Sequence, residues 1–190
     1  MPDFAFATGV EALAHVDEEV DAASRLPPYS AVSELWVCLV KFANTLPTVG
    51  EEPEQVVALV RRLDRETSRA IVTASPFATL VNLEPPLEKV LAHPRERLHA
   101  LQVGRELTRM RRRSTDPKAA LSALVSVLNR VRDKKMHGFK TPDGARDLEI
   151  LEASAILLRN ICKACSALLS REQRGIGEGE RLDVLRASSE

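Results

Sequence analysis

A chain of 190 residues is long enough for one domain with a real hydrophobic core, and its 44% hydrophobic content sets it apart from disordered polyelectrolytes. Aromatic residues make up only 4%, and Ala, Leu and Val dominate the apolar set, which favours helix-on-helix packing over a β-sandwich. The formal net charge of zero is unevenly spread. Residues 1–94 carry 7 Lys and Arg against 14 Asp and Glu, residues 95–140 carry 13 against 4, and residues 141–190 carry 7 against 9. A neutral total therefore hides one basic segment of the kind that attracts polyanions, although solvated helix faces give the same composition.

No run of uncharged apolar residues approaches the ~20 needed to cross a bilayer, so no membrane partner is expected. The start, Met-Pro-Asp-Phe-Ala-Phe, lacks the basic n-region of a signal peptide. Three cysteines, an odd number, point to a reducing cytoplasm rather than to a disulfide framework. Cytoplasmic localisation is the expectation.

The elements can be placed in chain order. Residues 8–24 read as a first helix, with Val10, Leu13 and Val20 inward, ended by Leu26-Pro27-Pro28 because proline cannot continue a helix. Ser30–Leu46 forms a second, with Val32, Leu35, Trp36, Leu39, Val40 and Ala43 at helical spacing, stopped by Pro47. Acidic Glu51-Glu52 followed by Pro53 suits a helix N-terminus. That third helix is expected to run to about Ile71, with Val56, Leu59, Val60 and Leu63 inward. Residues 72–94, broken by Pro76, Pro85, Pro86 and Pro94, read as a loop with one short helix at Leu87–Leu91.

Arg95–Arg113 reads as a basic helix with a thin stripe of Leu98, Leu101, Leu107 and Met110. Asp116 is the N-cap and Pro117 the first residue of the next helix, which runs to Met136 with Leu121, Leu124, Val125, Leu128 and Val131 on its core face. His137-Gly138 ends it. After a short loop, Ala145–Leu169 repeats Leu148, Leu151, Ala155, Leu158, Ile161, Cys162, Cys165 and Leu168 at helical spacing. Residues 171–190, with three glycines and weak periodicity, read as a mobile tail with a turn at Leu182–Leu185. The expected architecture is an all-α bundle of about five to seven helices: one domain over 1–170, with residues 117–170 as its most distinctive half, and a flexible tail over 171–190.

Most chemical motifs have no support. Cys162-Lys163-Ala164-Cys165 sits inside an apolar helical stripe and reads as two buried hydrophobes, because redox CxxC pairs follow a strand and zinc sites need further ligands. His15, His93 and His99 have no metal-spaced partners. GxxxxGK[ST], GxGxxG and GxSxG patterns are absent, so no nucleotide loop or serine-hydrolase elbow is present. Neither a metal nor a cofactor is expected.

Arg132-Asp133-Lys134-Lys135-Met136-His137-Gly138 differs from these. Arg132 falls one residue past Val131 and four past Leu128, so it borders the core face, and a guanidinium there can hold a phosphate bidentately. His137 is of the one side-chain type whose unperturbed pKa lies near neutrality, and the C-terminal end of a helix dipole favours an imidazolium. Asp133 could orient either group. Both Arg132 and His137 lie at the rim of the core stripe, so truncating them should cost little packing. The alternative is a basic last turn that merely complements the helix dipole.

The stretch Leu121–Leu169, with Leu128-Asn129-Arg130-Val131-Arg132-Asp133 and then His137-Gly138, resembles the second half of a HEPN domain. That family is marked by an Arg, a polar residue directly after it, and a His four to six residues beyond the Arg. Arg132, Asp133 and His137 match, with Asp133 at a position that is often Asn. The resemblance covers about 50 residues; residues 1–116 share only their helical character. It implies a helical bundle that forms a homodimer, pairing two Arg–His sets. It also implies metal-independent RNA cleavage or RNA binding, of the kind found in toxin–antitoxin and antiviral defence, with an antitoxin or other protein as a further partner. Arg132 would then hold the scissile phosphate, Asp133 would assist, and His137 would transfer protons. Arg111, Arg112, Arg113, Arg130, Lys134 and Lys135 would attract the RNA backbone. Many relatives are non-catalytic, so a helical interaction module with a structural Arg–His pair is the competing expectation.

Overall fold

Prolines and capping side chains set the helix boundaries seen in a computed structural model. It describes residues 3–46, 50–82, 104–136 and 145–187, with side chains over 13–46, 50–82, 104–133 and 147–174. The described residues form eight helices and no strand. These are α1 (Asp3–Ala23), α2 (Pro28–Ala43), α3 (Glu52–Arg61), α4 (Arg65–Thr73), α5 (Ser75–Val81), α6 (residues 104–111), α7 (Pro117–Met136) and α8 (Ala145–Ala187). The chain is an all-α helical bundle, as its composition and periodicity predict.

Several boundaries differ from the sequence expectation, each for a local reason. The single helix expected from Pro53 to Ile71 is two. Asp64 adopts an extended conformation and its Oδ1 accepts from the Thr67 backbone N–H at 2.7 Å, so it caps a new helix, α4. Extended Ala74 then separates α4 from α5, which opens with Pro76 in its first turn, within the stretch expected to be a loop. The short helix expected at Leu87–Leu91 lies outside the described residues. The segment expected as a mobile tail continues α8 as far as Ala187. Glu172, Arg174, Glu178, Glu180 and Arg181 are good helix formers, and they offset the propensity lost at the interspersed glycines. By contrast, Asp116 and Pro117 act as expected: the Asp116 carboxylate accepts from the Ala119 N–H at 3.0 Å at the start of α7.

The core is one continuous cluster with α2 at its centre. Trp36, Phe42, Leu35 and Leu39 of α2 are fully buried, together with Leu59 and Leu63, Phe77 and Leu80, Met110, and Leu121, Leu124 and Leu128 of α7. On one side α2 packs with α1 against α8; on the other it packs with α3 against α7, while α4 also lies on α7 and α5 on α8. Ion pairs and hydrogen bonds tie these layers at their edges, including Ser166 to Asp17 at 2.7 Å and Arg62 to Glu172 at 2.7 Å. The part of α8 from Asp147 to Arg174 is long enough to cross a membrane and contains an 18-residue stretch with a mean hydropathy of 1.2, where no such segment was expected. Its apolar residues Leu151, Leu157, Leu158, Ile161, Cys162 and Cys165 are buried in the bundle, which accounts for that composition. Leu148, expected in the core stripe, is 38% exposed.

Gly50 positions the next piece of the site. Its φ of 145° is one that side-chain-bearing residues rarely adopt, and an added Cβ would meet Glu54 Oε2 at 2.8 Å. The Gly50 carbonyl also accepts from Gln55 Nε2 at 3.0 Å, closing the turn that delivers Glu52 to the first position of α3.

Candidate functional site

Arg132 lies in the last turns of α7, at the junction of three helices. α3 and α7 pack with Glu52 at the start of α3 beside Arg132 near the end of α7. The Glu52 carboxylate accepts from Arg132 Nη1 at 2.5 Å. The same oxygen accepts a hydrogen bond from the indole Nε1 of Trp36 in α2. Arg132 Nε and Nη2 both donate to Asp133 Oδ1, at 3.2 and 2.9 Å. The guanidinium also lies over the Trp36 ring, 5.2 Å from its centroid.

This arrangement fixes the arginine on every side that the described residues reach. Burial opposes its charge, but the hydrogen bonds it donates to Asp133 and Glu52 outweigh that cost and raise the guanidinium pKa above its ordinary value. Its side chain is 25% exposed, so one edge still meets solvent. One cation faces two carboxylates, and the local charge of the cluster is negative. A phosphate approaching Arg132 must therefore compete with Glu52 for the same N–H donors. Asn129, one turn earlier, has a buried Oδ1 with no hydrogen-bond partner among the described residues.

Of the residues expected to form the site, Arg132 and Asp133 are brought together and His137 lies outside the described residues. Lys134 and Lys135 belong to α7, and their side chains lie outside the description. Arg130 is half-buried on α7. The triple Arg111-Arg112-Arg113 is elsewhere: it occupies the end of α6 and the following turn, before the start of α7. The 15 residues from Pro117 to Arg132 separate the triple from the motif by about 22 Å along the helix axis. Arg111 and Arg112 are exposed, whereas the Arg113 guanidinium stacks over Phe77, 5.5 Å from the ring centroid. The expected RNA-binding set is thus divided between the two ends of α7.

Sequence reasoning did not identify Glu52 or Trp36 as part of this site. Glu52 was read as helix-start chemistry and Trp36 as core, and both readings hold as far as they go. Nothing local to either residue signals a partner 80 positions away in the case of Glu52.

The other chemistry-bearing residues are set apart from the site. Cys38, Cys162 and Cys165 are buried free thiols. Burial raises the Cys38 pKa to about 11 and that of Cys165 to about 12, and pushes Cys162 up as well. The Cys162 thiol donates to the Leu35 carbonyl at 3.5 Å, as a packed core group does. His15 is exposed beside Glu18 and Glu19. Among the described residues, no group of three or more His, Cys, Asp or Glu side chains could hold a metal ion. No protein-family model, no curated protein and no solved structure matches this chain.

Proposed function

We propose that this chain is a HEPN-type protein that acts on RNA, as a metal-independent endoribonuclease working as a homodimer in a toxin–antitoxin or antiviral defence system. The observation that supports it is the placement of Arg132: held at the rim of the core near the end of α7, five residues before His137, with one edge open to solvent. A guanidinium fixed in this way contributes charge to a phosphate without first losing rotamer freedom. In the proposed reaction the ribose 2′-oxygen gives up its proton and bonds to phosphorus. The 5′-oxygen leaves and takes a proton, yielding a 2′,3′-cyclic phosphate and a 5′-hydroxyl. His137 transfers protons, Arg132 stabilises the charge on the phosphoryl oxygens, and Asp133 orients Arg132. Only RNA carries the required 2′-hydroxyl.

A specific observation favours the second reading, a non-catalytic helical interaction module. Glu52 and Asp133 already satisfy the Arg132 guanidinium and clamp α3 onto α7.

Purified protein incubated with single-stranded RNA in EDTA separates the two. Cleavage to cyclic-phosphate ends that is abolished by Arg132→Lys and by His137→Ala supports the nuclease. Light scattering should then report a dimer at micromolar concentration. Absence of cleavage by a folded dimer leaves the interaction module standing.

A further inference from the structure

Arg61, Arg109 and Lys118 converge from three helices on one groove. Arg61 ends α3, Arg109 lies on α6 and Lys118 is in the first turn of α7. The groove has a volume of about 390 Å³, and small α7 residues, including Ala119 and Ser122, line it. That volume lies within the range of small-ligand sites and admits a nucleotide unit.

The charges make the groove more than a dent between helices. Three cations meet one carboxylate there, Glu106. Glu106, itself half-buried, pairs with the exposed Arg109 at 3.2 Å. Arg61 and Lys118 are exposed and make no ion pair with any described residue. Like charges gathered from separate helices repel one another, and a bound anion would relieve that repulsion. At the other end of the same helix pair carboxylates gather: Glu51, Glu52 and Glu54 open α3, and Glu52 and Asp133 already hold Arg132. Along α3 a polyanion therefore meets carboxylates at the Glu52 end and a cation, Arg61, at the groove end.

We infer that this groove is a phosphate subsite for the backbone of single-stranded RNA, remote from the cleavage position. The inference rests on the RNA reading above. Lys118 and Arg132 are 14 residues apart on α7, about 21 Å along the axis. A strand of a few nucleotides spans that distance, and the exposed Arg111 and Arg112 lie at the same end of α7 as the groove. The groove would hold a phosphodiester by charge, without reading sequence, and so anchor the strand whose scissile phosphate reaches Arg132.

The test is fluorescence anisotropy with a labelled single-stranded oligonucleotide across a salt series. Arg61→Gln/Lys118→Gln should weaken oligonucleotide binding roughly tenfold and lower the salt slope by about one per cation removed. Neutral substitutions at these exposed positions should leave the fold intact, and circular dichroism checks this. Arg25→Gln, an exposed arginine outside the groove, should have little effect. Two results overturn the assignment: an unchanged affinity and slope in the double variant, or an equal loss in Arg25→Gln. If the unaltered protein binds no RNA even at low salt, the RNA reading falls as well. Those outcomes are distinct from a groove that merely plays no part.

Discussion

Glu52 and Arg132, 80 residues apart in the chain, meet at 2.5 Å and join the first turn of α3 to the end of α7. The same Glu52 oxygen accepts from the Trp36 indole, so one carboxylate ties α2, α3 and α7 together. The contact has two consequences that pull in opposite directions. It fixes the arginine at the rim of the core, and it occupies donors that an anion at Arg132 would use.

Replacing Glu52 separates these effects. Glu52→Gln keeps an acceptor for the Trp36 N–H and removes the competing charge. It should cost under ~1 kcal/mol of stability, as for a partly exposed ion pair, and raise RNA affinity several-fold. Glu52→Ala also leaves the indole N–H without its partner and should cost more, about 1–3 kcal/mol. Urea denaturation and anisotropy measure the two quantities. Equal stability losses in both variants would show that the indole hydrogen bond contributes nothing.

Arg132 was expected to cost little packing when truncated, and the structure changes that expectation. Arg132→Ala uncovers the face of Trp36 and leaves Glu52 and Asp133 without their shared cation. A loss of roughly 1–3 kcal/mol is expected, so a catalytic defect in this variant must be read beside its stability. Arg132→Lys keeps the charge without the planar fork and is the cleaner probe. Trp36 is the single tryptophan of the chain, which makes intrinsic fluorescence a direct reporter of this contact. Its emission should shift in Arg132→Ala, and also when RNA draws Arg132 from Glu52. An unmoved spectrum with RNA fully bound would place the RNA elsewhere.

The helical class and much of the core were legible in the sequence because both depend on spacing. Leu121, Leu124 and Leu128 recur every three or four residues, and all three are fully buried. Asp116-Pro117 announced α7 for an equally local reason. The α3–α4 break was missed because Asp64 lies within a continuing apolar pattern, where a cap competes with periodicity. The Arg132 cluster was half legible. Asp133 adjoins Arg132 in sequence, but Glu52 and Trp36 reach it only through the packing of α2 and α3 on α7. Tertiary geometry of that kind leaves no periodic trace.

The Asp64 cap has its own pH signature. Hydrogen bonds from the Thr67 backbone and hydroxyl hold the Asp64 carboxyl below its ordinary 3.8. A depressed folded-state value means that its contribution is present above 3.8 and is lost as pH falls through the lower folded value. Asp64→Ala should therefore lower the melting temperature at neutral pH and flatten the acid limb of the stability profile. Asp64→Asn, which keeps the cap acceptor without the charge, should restore most of the neutral stability. Equal melting temperatures for the alanine variant and the unaltered protein would remove the cap from the list of forces that start α4.

Alkaline pH acts on the core through the thiols. Burial holds Cys38 near 11 and Cys165 near 12, with Cys162 also raised, against an ordinary value of 9.0. The folded state therefore retains thiol protons that the unfolded chain releases, and linkage fixes the sign: stability is full below 9 and declines as pH rises from there through the folded values. The same protection governs reactivity, since the thiolate is the nucleophile. A disulfide-exchange reagent at pH 8 should label none of the three cysteines in the native protein and all three after denaturation. Cys162→Ala and Cys165→Ala should each reduce the alkaline loss. Each also removes a packed sulfur, so neutral-pH stability should fall while the slope with pH becomes shallower. Rapid labelling of Cys162 or Cys165 in the native state would mean that α8 opens at its centre, contrary to a core helix packed between α1, α2 and α5.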